Sequence, residues 1–527
     1  MAKEQRIVGP PGAGKTTTVR NRVAKFVADG EYEPENIVLT SFSRAAAKEL
    51  AGAVAVPQEN VATLHSLARR IIGPAPIAEV GKLAKQWDES GIPVAWKIGG
   101  RTTADLEDGL AADSGDGSML ASYSLMRSRM LPAEHPSWEM MMPFAARWEQ
   151  FKKETGSVDF TDMIYYAIAE GGPCYGEPPV IMVDEAQDLN PLQWMLVRHW
   201  AEHPSVERFF VMGDPAQAIF AFAGARPEEL LTPLPGDQQY VLPHSYRMPR
   251  LIKDHAERYL AHHSGSLSEG RVYTPRFDDD DKTVVAEGIV RRSSATWRTP
   301  DMVVAEMERL AAAGRSSLVL TTCSYMLEPT ITMLRERGLI YQNQWRRSNG
   351  RWNPIGAKRD DQTRTADRVA AFHRGEAPEL WVPMLAADTF HTRGGKKHLE
   401  DNPAEWAQWT KTEALAAIDR HDLRWLLAHV NREYQRPVEY AAKVIARRGP
   451  EILDAKVLVD IGTIHSVKGG AADVVFIFPD VSAAGAEEIF RGQSGRDAAI
   501  RLGYVAASRA REELVLCAPA GRDELGL

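Results

Sequence analysis

Residues 9–16 read GPPGAGKT, a glycine-rich loop closed by a lysine and a hydroxyl side chain. The spacing G-x-x-x-x-G-K-T suits phosphate chemistry. Gly9, Gly12 and Gly14 let the backbone approach an anion, and successive N–H groups at a helix N-terminus favour its charge. Lys15 is placed to reach the β and γ phosphates of a nucleoside triphosphate, and Thr16 supplies a hydroxyl for Mg²⁺. Pro10, Pro11, Ala13 and Thr17 complete the expected contact set. Residues 180–188, VIMVDEAQD, set two adjacent carboxylates at the end of an apolar run. Asp184 suits Mg²⁺, directly or through water, and Glu185 suits polarising an attacking water as general base. In GDPAQ, Gln217 lies three residues after Asp214, where an amide just beyond a strand end can sense the γ phosphate. Taken singly, these could be a turn and surface acids. Taken together they imply nucleotide hydrolysis, with ATP and Mg²⁺ as the expected ligands.

Such groups need elements to hold them. Arg6, Ile7 and Val8 read as a strand entering the loop, and Thr16 to about Ala28 as the helix leaving it. Further apolar runs at 37–40, 180–183, 209–212, 318–321, 457–461 and 474–478, separated by helical patterns, read as buried strands of parallel α/β sheets. They form two clusters, one before residue 245 and one after 315. Residues 75–157 and 346–454 differ in character and read as mainly helical inserted subdomains. The fold class expected is therefore α/β, with two parallel-sheet domains each carrying an insert.

The chain has 527 residues, 44% apolar and 25% charged, a globular composition that excludes a disordered, collagenous or coiled-coil polypeptide. Its net charge of −8 argues against a protein that coats nucleic acid through bulk positive charge, while leaving room for local basic grooves. Cys174, Cys323 and Cys517 are widely separated and lack C-x-x-C spacing, which argues against disulfide frameworks and zinc modules. No apolar run reaches the roughly 18 residues of a membrane span, and a glycine-rich loop stands where a signal peptide would lie. A soluble, cytoplasmic protein in a reducing compartment is expected. The acidic run 278–281 and the basic stretches at 346–347 and 393–397 read as solvated surface.

The order of the segments resembles superfamily 1A DNA helicases of the UvrD, Rep and PcrA type. The resemblance rests on GPPGAGKT, LTSFSRAAAKEL (39–50), VATLHSLARRI (61–71), VDFTDM (158–163), VIMVDEAQD, VMGDPAQAIFAFAGA (211–225), HSYRMP (244–249), IGTIHSVKGGAADVVFI (461–477) and YVAASRAREEL (504–514), about half the chain. It implies two RecA-like domains: 1–74 with 158–243, and 244–345 with 455–527. The segments 75–157 and 346–454 would be the inserts between their halves. ATP would lie between the domains and single-stranded DNA across their tops. By the same resemblance, Arg247 and Arg509 match arginines that contact the γ phosphate from the second domain, a class of contact worth about 10³ to 10⁵ in rate. Tyr246 matches an adenine-stacking tyrosine. Phe42, Thr63, His65, Phe220, Phe222, Thr463, His465 and Lys468 match the positions that touch DNA by base stacking or near its backbone.

Departures accompany the match. Only eight residues precede Gly9, so the family's glutamine-bearing element before the loop has no counterpart, and Ala471 stands where KGLEF carries glutamate. Both bear on adenine and ribose selectivity. Phe222 and Ala223 replace a tryptophan and an arginine, and the chain ends soon after YVAASRAREEL, which reads as a compact, viral (phage) form acting in the host cytoplasm. The resemblance implies a monomeric ATP hydrolase that moves 3′ to 5′ on single-stranded DNA and unwinds duplex DNA, with no protein partner indicated. The alternatives are a translocase that displaces proteins from DNA without processive unwinding, a P-loop kinase and a nucleotide-gated binding module. A kinase would lack the paired arginines and the TIHS and SRA elements.

Overall fold

The computed structural model describes residues 3–42, 44–99, 119–232, 234, 238–264, 267, 271–279, 282–346, 350–356, 363–402, 405–490 and 492–527. Part of the acidic run (280–281), part of the second matched segment (Ser43) and Arg347 lie outside them. Two all-parallel sheets organise the chain. The first contains β1 (Glu4–Val8), β2 (Ile37–Ser41), β3 (Val61–Thr63), β4 (Val180–Asp184), β5 (Arg208–Gly213) and β6 (Gln239–Val241), in the order β3-β2-β4-β5-β1-β6. The second contains β7 (Ile289–Ser293), β8 (Ser317–Thr321), β9 (Val459–Thr463), β10 (Ala472–Ile477) and β11 (Ala510–Cys517), in the order β7-β11-β10-β8-β9. These are two RecA-like α/β units. All six apolar runs read as strands are strands here, with ends shifted by up to two residues, and the segment entering the glycine-rich loop is β1; the short β3 and β6, the polar β7, and β11 are additional.

The order within the first sheet sets up the site. β5 lies between β4 and β1, in register Val183↔Val211 and Val8↔Gly213. Adjacent parallel strands run about 4.8 Å apart, so the carboxyl ends of these three strands bring the glycine-rich loop, Asp184 and Asp214 side by side. β4 is buried throughout, and a strand covered on both faces has to be continuously apolar until it reaches the edge where polarity is tolerated. From the loop runs α1 (Lys15–Ala28), which buries Val19, Val23 and Phe26 against Ile7, Phe210 and Met212.

The two helical segments are held differently. In 75–157, helices Gly81–Asp88, Met119–Ser128 and Ser137–Thr155 enclose a core of their own, with Trp87, Phe144, Trp148 and Phe151 packed ring against ring. The helices of 346–454 instead share one apolar core with the second sheet: Val369, Phe372, Val438 and Val444 belong to the same cluster as Val319, Ile461 and Phe476. A further cluster runs continuously across both sheets and includes Ile219 and Phe220 from the first unit and Ile464 and Val467 from the second. No helix among the described residues is long and apolar enough to cross a membrane.

A buried charge cluster fastens the 75–157 segment to the first sheet's helical layer. Asp159 caps helix Phe160–Ala169 in a capping box with Asp162. Its carboxylate is fully buried and accepts from Trp148 Nε1 at 2.9 Å, Lys152 Nζ at 2.8 Å and Arg127 Nη1 at 2.9 Å. Lys152 reaches Asp162 at 2.5 Å, and Arg127 also pairs with Asp162. The VDFTDM segment thus contributes a structural rivet. Burial alone would raise the Asp159 pKa, but the charges of Arg127 and Lys152 outweigh it and hold the carboxyl at about 2. Removing one partner strands buried cations, so Asp159→Ala should destabilise by about 3–5 kcal/mol in urea unfolding. The carboxylate's contribution is present above its ordinary value of 3.8 and is lost as pH falls through about 2. A loss no larger than that of a surface substitution would show that the rivet is dispensable.

Candidate functional site

The glycine-rich loop leaves β1 with Gly9 N–H bonded to Gly213 O at 3.3 Å, and α1 begins as Gly14 adopts φ 76°. Gly12 has φ 72°, and a Cβ there would meet Cβ of Arg247 at 2.4 Å. Glycine is therefore required at this point by conformation and by space. The approach of 244–248 is held by hydrogen bonds: Tyr246 N–H to Gly12 O at 2.8 Å and Ser245 Oγ to Pro11 O at 2.7 Å. Tyr246 is exposed, with its ring beside Gly14. Lys15 is buried and donates from Nζ to Gly9 O at 3.0 Å, spanning the loop that an anion would occupy. Pro10, Pro11 and Ala13 are buried beneath the loop, Thr16 is half-buried and Thr17 is exposed.

Asp184 is buried at the end of β4 and accepts the Glu185 N–H at 2.9 Å. Glu185 adopts φ 55°, an unfavourable conformation for a residue with a Cβ, of the kind concentrated at functional sites. Gln187 Nε2 donates to its carboxylate at 2.5 Å, and Lys468 Nζ lies 3.3 Å away. Burial would raise the Glu185 pKa, but Lys468 and then Lys15 outweigh it, so the carboxylate stays ionised. The Thr16 hydroxyl and Asp184 carboxylate make an oxygen donor set of the kind hard divalent cations take.

Asp214 is fully buried after β5 and accepts from Gln217 Nε2 at 2.8 Å and from Arg271 at 2.6 and 3.2 Å. Gln217 Oε1 in turn accepts from Arg509 Nη2 at 3.0 Å. Arg509 sits immediately before β11, beside the start of β10, and its own carbonyl accepts from Ala472 N–H at 3.2 Å. Its other acceptors are the Val505 and Gly470 carbonyls and Ser508 Oγ. Every one is neutral, so burial, reinforced by the nearby charge of Arg247, disfavours the guanidinium cation and lowers its pKa well below the ordinary range. An anion entering the cleft would relieve that deficit. Arg247 Nη2 donates to Gly469 O at 3.1 Å, so one diglycine turn steadies both arginines. A Cβ on Gly470 would lie 2.2 Å from the Trp345 indole, which accounts for glycine at this place.

The residues matched to DNA contacts divide by exposure. Phe42 and Phe220 are buried, their ring centroids 5.1 Å apart, and Lys468 Nζ lies 5.2 Å over Phe220. Thr463 is fully buried and its hydroxyl accepts from Ser466 N–H at 3.3 Å. Thr63 caps helix Leu64–Ile72. Phe222 is half-buried, edge-on to His465 at 5.3 Å. His65, Phe160, Asn190, Gln193 and Phe222 line an open cavity of about 230 Å³ between the 75–157 segment and the first sheet. The structure thus brings Phe42, Phe220, Phe222, His465 and Lys468 into one contiguous group, and leaves Tyr246 apart from them beside the glycine-rich loop.

Sequence reasoning missed Gln187, Ser245 and Arg271. Gln187 stands inside the VIMVDEAQD segment, so its amide was open to notice. Its two partners, Glu185 and the Asp214 N–H at 3.0 Å, depend on β4 and β5 being neighbours.

With this geometry in view, comparisons with known proteins are informative. A family profile described as an AAA domain matches residues 1–223. DNA helicase IV of Escherichia coli (strain K12) is 26% identical over 319 residues, 50% of this chain and 46% of that protein. The ATP-dependent DNA helicase PcrA of Leuconostoc citreum is 26% identical over 287 residues, 49% of this chain and 37% of that protein. The putative ATP-dependent DNA helicase YjcD of Bacillus subtilis (strain 168) is 23% identical over 355 residues, 59% of this chain and 44% of that protein. Over about half of its length the chain is similar to DNA helicases of the UvrD/Rep/PcrA type of superfamily 1A. It spans less than half the length of these curated relatives.

The two units also meet through a titratable group. His465 Nε2 donates to Ile219 O at 3.2 Å, and desolvation, with Lys468 and Arg346 nearby, lowers its pKa from 6.5 to about 4. The unfolded chain therefore takes up a proton before the folded one does. His465's contribution to stability is full above pH 6.5 and is lost as pH falls towards about 4. Unfolding midpoints measured across that range should fall less steeply for His465→Gln than for wild type. Parallel pH profiles would mean that the imidazole titrates normally in the folded state.

Proposed function

We propose that the chain is an ATP-driven motor that moves 3′ to 5′ on single-stranded DNA and couples ATP hydrolysis to duplex unwinding. The observation that carries this reading is the Arg509–Gln217 hydrogen bond, by which a buried arginine of one sheet reaches the γ-phosphate-sensing position of the other. A nucleotide bound on the loop between them would bias how the two units sit, and a ligand that binds two arrangements unequally drives motion between them.

In this reading Lys15 and the N–H groups from Gly9 to Thr17 bind the phosphates, and Tyr246 stacks on the base. Thr16 and Asp184 would hold Mg²⁺, which supplies charge neutralisation on the phosphates when bound. Glu185, kept ionised by Lys468 and Lys15, takes a proton from the attacking water. Gln217 orients the γ phosphate, and Arg247 and Arg509 neutralise charge that develops on it. DNA crosses the tops of the sheets, with Phe222, His65 and Thr63 toward it. Phe42 and Phe220 support that surface from beneath, and Thr463, His465 and Lys468 link it to the second unit. Lys468 touches both Glu185 and the Phe220 ring, which supports a direct connection between DNA contact and the hydrolytic carboxylate. The similarity to relatives that are ATP-dependent DNA helicases by name agrees with this reading.

Hydrolysis should be stimulated by single-stranded DNA, and 3′-tailed duplexes should be displaced in preference to 5′-tailed ones. Arg509→Ala should lower stimulated turnover by about 10³-fold or more, and Lys15→Ala and Glu185→Gln should abolish it with circular dichroism unchanged. Phe222→Ala should reduce DNA stimulation more than basal turnover. Hydrolysis indifferent to DNA would refute the motor. Displacement of DNA-bound protein without strand separation would instead assign the chain to translocation alone.

A further inference from the structure

Arg271 lies in no matched segment, and its surroundings carry an inference that rests on the ATPase reading above. It comes from the second unit yet forks onto Asp214 of the first, Nη1 to Oδ1 at 2.6 Å and Nη2 to Oδ2 at 3.2 Å. Nη2 also donates to the Tyr504 hydroxyl at 2.6 Å, and Tyr504 donates to Glu257 at 3.0 Å. Tyr504 stands five residues before Arg509, on helix Gln493–Ala507, whose end presents Arg509.

The polarity of these bonds is determined by charge. Asp214 can only accept, so Gln217 must turn its NH₂ toward Asp214 and its carbonyl oxygen toward Arg509, which can only donate. On its other side the Asp214 N–H donates to Gln187 Oε1, and Gln187 Nε2 donates to Glu185. One buried carboxylate therefore orients the glutamine, the arginine beyond it and, through its peptide, the candidate general base. A buried carboxylate stays ionised and in place only when a cation is paired with it, and Arg271 is that cation.

We propose that Arg271 is a positioning residue for ATP hydrolysis. By pairing with Asp214 and Tyr504 it joins the Asp214–Gln217–Arg509 chain of hydrogen bonds to the helix Gln493–Ala507 that carries Tyr504 and presents Arg509, and so holds the γ-phosphate-facing groups of both units in register. It acts on the transition state through Gln217 and Arg509 and makes no contact with the glycine-rich loop, so its loss should appear in kcat and not in nucleotide binding.

The test measures DNA-stimulated kcat, KM for ATP, and affinity for ADP with and without aluminium fluoride, in the full chain. Because Arg271→Met alone strands the buried carboxylate, the principal variant is Arg271→Met with Asp214→Asn, accompanied by Arg271→Lys and Tyr504→Phe. The double variant should lose roughly 10²-fold in kcat, the scale of a displaced catalytic group, and most of the affinity gained with aluminium fluoride, with KM and ADP affinity near wild type. Arg271→Lys keeps the charge without the fork and should fall between the two. A folded double variant with wild-type kcat overturns the proposal, as does a loss confined to KM. Should the double variant not fold, Arg271→Lys and Tyr504→Phe decide, and wild-type kcat in both overturns it. A wild-type chain that hydrolyses no ATP overturns the functional reading itself; active wild type with unaffected variants overturns this proposal alone.

Discussion

A charge taken out of water has to be compensated, and the space between the two sheets is organised around that requirement. Lys15 and Arg509 are both buried cations whose hydrogen-bond acceptors are neutral. Glu185 and Asp188 meet Lys468 from the other unit, and Asp214 meets Arg271 from the other unit. The negative groups of the first sheet thus face cations of the second, with Lys15 of their own unit beside them.

Secondary structure serves this arrangement through edges. The first sheet offers the carboxyl ends of β1, β4 and β5, and the second offers the turns before β10 and β11. Each group therefore sits at the boundary between a buried strand and a solvated turn, where a polar side chain can be tethered by the backbone without interrupting a ladder. Glu185, held at positive φ between Asp184 and Gln187, shows that such tethering also stabilises a strained backbone. The diglycine turn at 469–470 works by absence of side chains, leaving room for Trp345 and exposing two carbonyls to two arginines.

Phe220 illustrates how one side chain can serve packing and communication together. It is buried in the apolar cluster that joins the units, touches Phe42 and Phe222, and lies under Lys468, which itself reaches the acidic end of β4. A ring in that position is closely held because close-packed interiors deform little. The surface above it and the Glu185 carboxylate are therefore parts of one packed unit.

Much of this was legible in the sequence. The loop, the acid pair and the apolar runs are local patterns, because a buried parallel strand must be apolar and a phosphate loop must be glycine-rich. The class of fold followed from their alternation. The strands β3, β6 and β7 were not legible, since short or polar edge strands carry no distinctive run, and β11 was not because its charged start, Arg511 to Glu513, interrupts the apolar pattern. The shared core of 346–454 with the second sheet was not legible either, because periodicity says which face of a helix is apolar and not what covers it. Nor could spacing distinguish Phe42 and Phe220, which are buried, from the half-buried Phe222. What the sequence determined by itself was the set of chemical groups and the strand ends that bear them. Only the tertiary structure decided their partners, Arg271 with Asp214, Gln217 with Arg509 and Lys468 with Glu185. Those pairings join residues 57 to 292 positions apart, and electrostatic complementarity acts through space, not along the chain.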